Sequence, residues 1–544
     1  MAAFVRCLGF ALALAWPAAA CAEAPPPVPG FSELEAAGAT IGEIQVRSRE
    51  IFDTDDPKED KWLFRWANAL HIQTRAGVIE RALLFKSGDP ISVRLIDETE
   101  RVLRSARYLY DVQIRPIAYR DGVVDIEVQT RDTWTLDPGL SASRTGGANS
   151  SSLGLKEYNL LGTGIGVSFK RVKGVDRSSN EFEILNDRAF GGWTSLAYLR
   201  SVNSDGKREA ASIAHPFYAL DTPWAAGLTV SKDNRIDSIY NAGIIASQYR
   251  HRKNQAEFYG GWSRGRVEGW VQRYSIGVSQ HEDVYSLEPG RVPPPQLPPN
   301  DKLVAPFLRY EIIEDRFEKL RNRNLIGRPE FFALGLASTL QLGRATTSLG
   351  SSRNVWLYSG SIARGFEPAP EHTLTTAASI SGEYAGAGAQ RQRFGGQARY
   401  YLPQSPRWLF YAAATGDMLT RPDADDLLLL GGDNGLRGYP LRYQSGTRRA
   451  LLTLEERAFT DLYVWRLFRI GGAAFFDTGR AWGGTNMNTT NPGWLSNVGV
   501  GLRIFSDRAA FSHVLHVDVA IPLSPDANSN IKRTQFLVKT RSSF

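Results

Sequence analysis

Thr534-Gln535-Phe536-Leu537-Val538-Lys539-Thr540-Arg541-Ser542-Ser543-Phe544 ends the chain, and its pattern decides the fold. Side chains of a strand alternate between two faces. Thr534, Phe536, Val538, Thr540, Ser542 and Phe544 therefore share one face, and Arg533, Gln535, Lys539 and Arg541 share the other. Upstream, Leu515, Val517, Val519, Ile521 and Leu523 oppose His516, Asp518 and Ala520. Before them, Val498, Val500, Leu502 and Ile504 oppose Gly499, Gly501 and Arg503. Segments of about ten alternating residues, separated by Gly, Asn, Asp, Ser or Pro, recur back to Trp134, which is the signature of a transmembrane antiparallel β-barrel. A closed sheet pairs every backbone donor and acceptor inside lipid. A soluble propeller or a series of sandwiches alternates too. Aliphatic faces set against lysine and arginine, and a terminal aromatic, favour the barrel. Up to about 20 strands can be counted, and bacterial single-chain barrels have even numbers. Pro289–Pro299, with six prolines, cannot donate to a ladder and is expected to be an extracellular loop.

The composition fits this reading. Of 544 residues, 42% are apolar, 11% aromatic and 22% charged, with 51 glycines but only 2 cysteines and 3 methionines. No apolar run reaches the roughly 18 residues a spanning helix needs. The 64 basic and 57 acidic residues are mixed rather than clustered, which excludes nucleic acid as a partner. Met1–Arg6 is basic, Cys7–Trp16 is a short apolar core, and Ala20-Cys21-Ala22 offers a small-residue cleavage site, so 1–22 reads as a secretory signal peptide. A lipoprotein box at Ala18-Ala19-Ala20-Cys21 is the rival reading. Cleavage after Ala22 removes Cys7 and Cys21 and with them any thiol, disulfide or cysteine metal chemistry.

Residues 23–38 read as a Pro-rich linker and 39–132 as a small α+β domain, leaving 133–544 for the barrel. Within the small domain Ile41–Ile51 alternates like a strand, and the acidic stretch Asp53–Asp60 reads as a solvated loop. Val78–Phe85 and Val93–Leu109 have helical spacing. Tyr110–Tyr119 and Val123–Thr130 alternate around the turn signal Arg120-Asp121-Gly122. The order is strand, helix, helix, strand, strand.

One motif stands out. In Gly431-Gly432-Asp433-Asn434-Gly435-Leu436-Arg437-Gly438-Tyr439-Pro440, glycines flank a single arginine, so tightly folded backbone aims a long cation. Downstream, Thr453, Glu455 and Arg457 share a strand face, as do Gly471, Ala473, Phe475 and Asp477. With Glu455 and Asp477 pointing into the lumen, two carboxylates await a buried guanidinium. Alternatively they are unrelated charges in a wet interior.

These residues carry a resemblance to the BamA/TamA-type outer-membrane assembly superfamily, whose barrel is also called the bacterial surface antigen domain. Leu436-Arg437-Gly438-Tyr439 matches its Val/Ile/Leu-Arg-Gly-Phe/Tyr loop. Glu455-Glu456-Arg457 matches Glu-x-Arg, Phe476-Asp477-Thr478-Gly479 matches Phe-Asp-x-Gly, and Gly499-Val500-Gly501-Leu502-Arg503 matches Gly-x-Gly-x-Arg. Ala520-Ile521-Pro522-Leu523, terminal Phe544 and the early Asn159-Leu160-Leu161-Gly162-Thr163-Gly164 follow in order. The small domain is similar to one periplasmic POTRA domain, with Thr130–Trp134 as its junction, where BamA-type factors carry several. The resemblance implies roughly 16 strands, with Glu456 near a membrane–water boundary. It implies a non-enzymatic outer-membrane protein, POTRA domain in the periplasm, that assists insertion or translocation of polypeptides. Nascent or unfolded clients would add to an open sheet edge, either Tyr110–Tyr119 or Ile41–Ile51, and the barrel would part between first and last strands. Phe536, Val538 and Phe544 would form the C-terminal barrel signal. Rival readings are a passive pore or structural surface antigen, and a dedicated secretion partner of one exported protein. Lipoprotein partners stay open.

Enzyme signals are poor. Gly261-Trp262-Ser263-Arg264-Gly265 fits the nucleophile-elbow spacing but lies between alternating strands, where the elbow needs a strand-to-helix turn. His513 and His516 fall on opposite strand faces, so they cannot chelate one metal. No catalytic residue, cofactor or metal is expected.

Overall fold

A computed structural model describes residues 28–541 apart from 138–139, 146–147, 242–243, 387, 424–425, 433, 484–492, 507, 509–513 and 524–530. The expected signal peptide and both cysteines lie outside the described residues. The small domain runs through α1 (Phe31–Ala36), β1 (Thr40–Arg49), α2 (Trp62–Leu70), α3 (Ala76–Glu80), α4 (Val93–Ser105), β2 (Leu109–Arg120) and β3 (Val123–Asp132). β3 is central, with β1 parallel on one side and β2 antiparallel on the other. Val124, Ile126 and Val128 bury against Val78, Ile79, Ile96 and Leu103. The Ser92 hydroxyl caps α4 by accepting from the Leu95 amide.

Two expectations change here. The segment 23–38 is not linker throughout. Phe31 and Leu34, three apart, give α1 an apolar side, and Leu34 is buried in the domain core. Nor is Asp53–Asp60 simply solvated, since Glu59 is buried and pairs with Arg131 at 2.8 Å and with Arg508. A further helix, α2, follows it. The two candidate edge strands are both edges, because β3 lies between them. The start of β1 is covered, for the Ile41 amide donates to the Asp89 carbonyl and the Ile91 amide to the Ala39 carbonyl.

The barrel closes with twenty strands among the described residues, taking Leu136–Asp137 and Leu140–Thr145 as one. Both pair with Ala148–Glu157 in a single register. Each strand is antiparallel to its neighbours in sequence, and Gln535–Arg541 returns to the first. Twenty is the upper count read from the alternation and exceeds the roughly 16 of the resemblance. Some strands are tall as well: Ile244–Val267 has 24 residues, against the roughly 9–11 that cross a bilayer. The outer surface is apolar. Ile276 lies beside Leu308, and Leu308 beside Leu342, all three exposed. Phe258 and Val278 do the same one row away. A continuous belt of this kind belongs in hydrocarbon.

An even strand number returns the chain to the end where it began. At this near end the small domain docks. Glu98 accepts from the Leu220 amide at 2.8 Å, the Arg94 guanidinium pairs with Asp221, Lys319 pairs with Glu100 at 3.1 Å, and the Asn159 amide donates to Thr74 at 2.8 Å. Pro289–Pro299 lies in the irregular connection 287–300 at the far end. Two inserts enter the lumen. From the near end comes a hairpin, Phe317–Arg321 with Pro329–Ala333, whose Ile326 and Phe332 bury against Tyr401, Leu409, Phe459 and Phe505. From the far end comes the segment 421–447, braced by the short pair Leu428–Leu430 and Gln444–Gly446.

Candidate functional site

The far-end insert folds until Leu436, Arg437 and Tyr439 are at most 2% exposed. Leu436 and Tyr439 join Leu430, Tyr443, Ala481 and Leu495 in an apolar cluster that seats the loop. Glycine permits the approach. Gly435 has φ 120°, and a Cβ there would stand 2.1 Å from Leu451 Cδ2; a Cβ on Gly438 would stand 2.7 Å from Asn497 Cβ. Instead the Gly438 amide donates to Asn497 Oδ1 at 3.1 Å, and the Tyr439 hydroxyl donates to the Ser496 carbonyl at 3.0 Å.

The wall supplies the acceptors. Thr453, Asp477 and Asn497 are cross-strand neighbours on Arg448–Val464, Phe468–Trp482 and Leu495–Ser506. Arg437 forks onto Asp477, Nε to Oδ2 and Nη2 to Oδ1, both at 2.8 Å. Its Nη1 reaches Glu455 Oε1 at 2.9 Å. Asp477 also accepts from Thr453 Oγ1 and Asn497 Nδ2, each at 2.9 Å, so two donors serve each of its oxygens. The Arg437 guanidinium lies 3.4 Å from the centre of the Phe475 ring, adding a cation–π contact. Glu455 spends its second oxygen on Arg457 Nε at 3.0 Å, and Arg457 Nη1 donates to the Arg323 carbonyl of the near-end hairpin at 2.9 Å. Arg503 pairs with Asp518 at 2.5 Å, and Asp518 stands 3.6 Å from Arg437. Three guanidiniums thus meet three carboxylates, every side chain at most 4% exposed. Buried charge is tolerated in such a place only when it is paired and hydrogen-bonded. The arrangement holds a far-end loop, four wall strands and the near-end hairpin in one network.

Of the residues read from sequence, Gly435, Leu436, Arg437, Gly438, Tyr439, Glu455 and Asp477 meet here. Phe536 is exposed on the barrel exterior, Val538 sits on the last strand, and Phe544 lies outside the described residues. Glu456 faces outward at the near end, where the Gln404 amide reaches it at 3.4 Å. Reading the sequence missed Asn497 and the Arg323 carbonyl. Asn497 had a signal, a lone amide before the alternation of Val498–Ile504; the carbonyl had none. Ser263 lies inside Ile244–Val267, where its hydroxyl donates to the Gln272 carbonyl. His516 is buried, and His513 lies outside the described residues. Among the described residues no group of His, Cys, Asp or Glu is arranged to hold a metal ion.

A second feature lies at the seam. Seven residue pairs join Val514–Pro522 to Gln535–Arg541, and the last strand closes on the first with Val538 opposite Arg144.

Gly438→Val tests the seating of the loop. The added carbons enter space that Asn497 fills, and overpacking of this kind costs about 1–3 kcal/mol. The loop 421–447 of the detergent-solubilised variant is expected to become cleavable by added protease while the barrel stays heat-modifiable. Cleavage no faster than in the parent chain would show that the close approach is not what holds the loop.

No protein-family model matches this chain, and no curated protein does. Solved structures do. The BamA structure from Haemophilus ducreyi lacking POTRA domains 1-3 aligns over 92% of this chain and 85% of that one, at 13% identity and a TM-score of 0.43. CdiB from Acinetobacter baumannii and CdiB from Escherichia coli each align over 92% of this chain, and over 74% and 76% of theirs, at 13% identity and TM-scores of 0.46.

Proposed function

We propose that the chain is an outer-membrane protein of the BamA/TamA type that assists insertion or translocation of polypeptides, its small domain acting as a single periplasmic POTRA domain. The observation that carries this reading is the closure of the barrel by its last strand, Gln535–Arg541, on its first, Leu140–Thr145, with Val538 opposite Arg144. A strand edge freed at such a closure presents backbone donors and acceptors to an extended chain. Opening at that line exposes two edges directly to lipid, where a client strand that pairs also buries its apolar face. Strand pairing and lipid burial then drive the reaction without a cofactor. In this orientation the Pro-rich connection 287–300 is extracellular. The clients are nascent or unfolded exported polypeptides, received at the POTRA end. Inserts that enter the lumen from both ends disfavour the passive pore.

A disulfide across the seam is the direct test. Arg144 and Val538 are opposite each other, within the spacing a cross-strand disulfide accepts. With both replaced by cysteine and Cys7 and Cys21 by serine, the oxidised protein in proteoliposomes is expected to lose most of its ability to insert a small barrel client, and reductant should restore it. Equal activity in the oxidised and reduced states would overturn the seam mechanism. Large, steady conductance with no client insertion would select the passive pore.

A further inference from the structure

α2, Trp62-Leu63-Phe64-Arg65-Trp66-Ala67-Asn68-Ala69-Leu70, has two apolar faces and only one is covered. Phe64 and Ala67 pack with Ile51, Phe52, Trp134 and Leu467, and the Phe64 ring stacks on Phe52 at 4.1 Å. Asn68 clamps the Phe52 backbone from the same side, accepting from its amide and donating to its carbonyl. At about 100° per residue, Trp62, Leu63, Trp66 and Leu70 fall on another side within one arc. All four are exposed, Trp62 at 77% and Trp66 at 58%, and Ile72 extends the patch. Two indoles and two leucines on one short helix form a face that water does not favour.

The position of α2 identifies what covers it. The helix is fastened to the barrel rim at two near-end turns. Leu467 belongs to the turn between Arg448–Val464 and Phe468–Trp482, and Arg508, beyond the following hairpin, donates to the Ile51 carbonyl at 3.1 Å and pairs with Glu59. The near-end turns and strand ends themselves carry exposed apolar residues around the barrel: Leu161, Phe190, Val267, Trp408 and Trp465. Such a ring marks the level at which a barrel wall leaves hydrocarbon for headgroups, where tryptophan is at home.

We propose that α2 lies in the membrane surface at the near end, with Trp62, Leu63, Trp66 and Leu70 sunk into the phospholipid interface, anchoring the small domain beneath the barrel. The patch continues the barrel's own lipid-facing girdle, so the occupant is lipid rather than a second protein. The inference rests on the membrane-spanning reading of the barrel.

Trp66→Cys, in the full chain with Cys7→Ser and Cys21→Ser, is labelled with bimane and reconstituted into phosphatidylethanolamine–phosphatidylglycerol vesicles. Ile276→Cys on the outer belt and Arg120→Cys at the exposed β2–β3 turn are labelled as references. A phospholipid spin-labelled near the glycerol end of its acyl chain is expected to quench position 66 roughly twofold or more relative to position 120, with aqueous iodide showing the opposite order. Quenching of position 66 by iodide alone overturns the proposal, because the face is then in water. Quenching by neither overturns it too, because the face is then covered by protein. If position 276 also escapes lipid quenching, the membrane reading of the barrel fails and this inference falls with it.

Discussion

Arg437→Ala and Asp477→Ala are each expected to abolish most activity, and the double variant is expected to be no worse than either alone. Asp477 receives four hydrogen bonds, two of them from Arg437, in a site with no exposure at its carboxylate. Removing one partner of a buried pair leaves the other charge uncompensated, at a cost of about 3–5 kcal/mol. Removing both takes away the uncompensated charge, so the penalties overlap rather than add. Arg437→Lys should rescue poorly for two reasons visible in the site. A lysine offers a point charge where the guanidinium bridges Asp477 and Glu455 with three nitrogens, and it lacks the planar group that stacks 3.4 Å over Phe475. The measurement is client insertion by the four proteins in proteoliposomes, together with the temperature at which each barrel loses its compact mobility on gels. Simple addition of the two single defects would show that the residues act independently and would sink the lock.

How far the sequence foretold this site depends on which forces shaped each part. The barrel was legible because lipid imposes a period of two on every wall strand, and Val498–Ile504, Leu515–Leu523 and Thr534–Phe544 obey it. The loop motif was legible for a similar reason: Gly435 and Gly438 are required by contact with Leu451 and Asn497 and leave a mark in the chain. α1 and α2 were hidden because each buries only one or two residues, Leu34 or Phe64, too few for a periodic signal. Strand number was poorly fixed because turns and strand ends share Gly, Asn and Ser. The near-end hairpin was unreadable as a lumen insert, since Phe317–Arg321 and Pro329–Ala333 are too short to carry a period, and only the burial of Ile326 and Phe332 against Phe459 and Phe505 distinguishes it. Backbone acceptors such as the Arg323 carbonyl have no sequence signature at all.

That carbonyl leads to the other large effect. Glu455 hydrogen-bonds two buried arginines at once, Arg437 through Oε1 at 2.9 Å and Arg457 through Oε2 at 3.0 Å. Arg437 belongs to the far-end loop, while Arg457 reaches the near-end hairpin through the Arg323 carbonyl and stacks 3.6 Å over Tyr411. Glu455→Ala therefore leaves two desolvated cations facing each other across an empty position, and the cost is expected to match or exceed the roughly 3–5 kcal/mol of a single broken pair. Glu455→Gln keeps one acceptor oxygen and the volume, so its defect should be smaller, but a neutral amide cannot balance two guanidiniums. Because the two arginines hold opposite ends of the lumen, loosening should appear at both: protease should cut within 421–447 and within 317–333 in the Ala variant. Cleavage at the loop alone would mean that Arg457 is held by Tyr411 and the hairpin without help from Glu455. In that case the far-end loop and near-end hairpin are separate plugs, and the network through Glu455 does not join them.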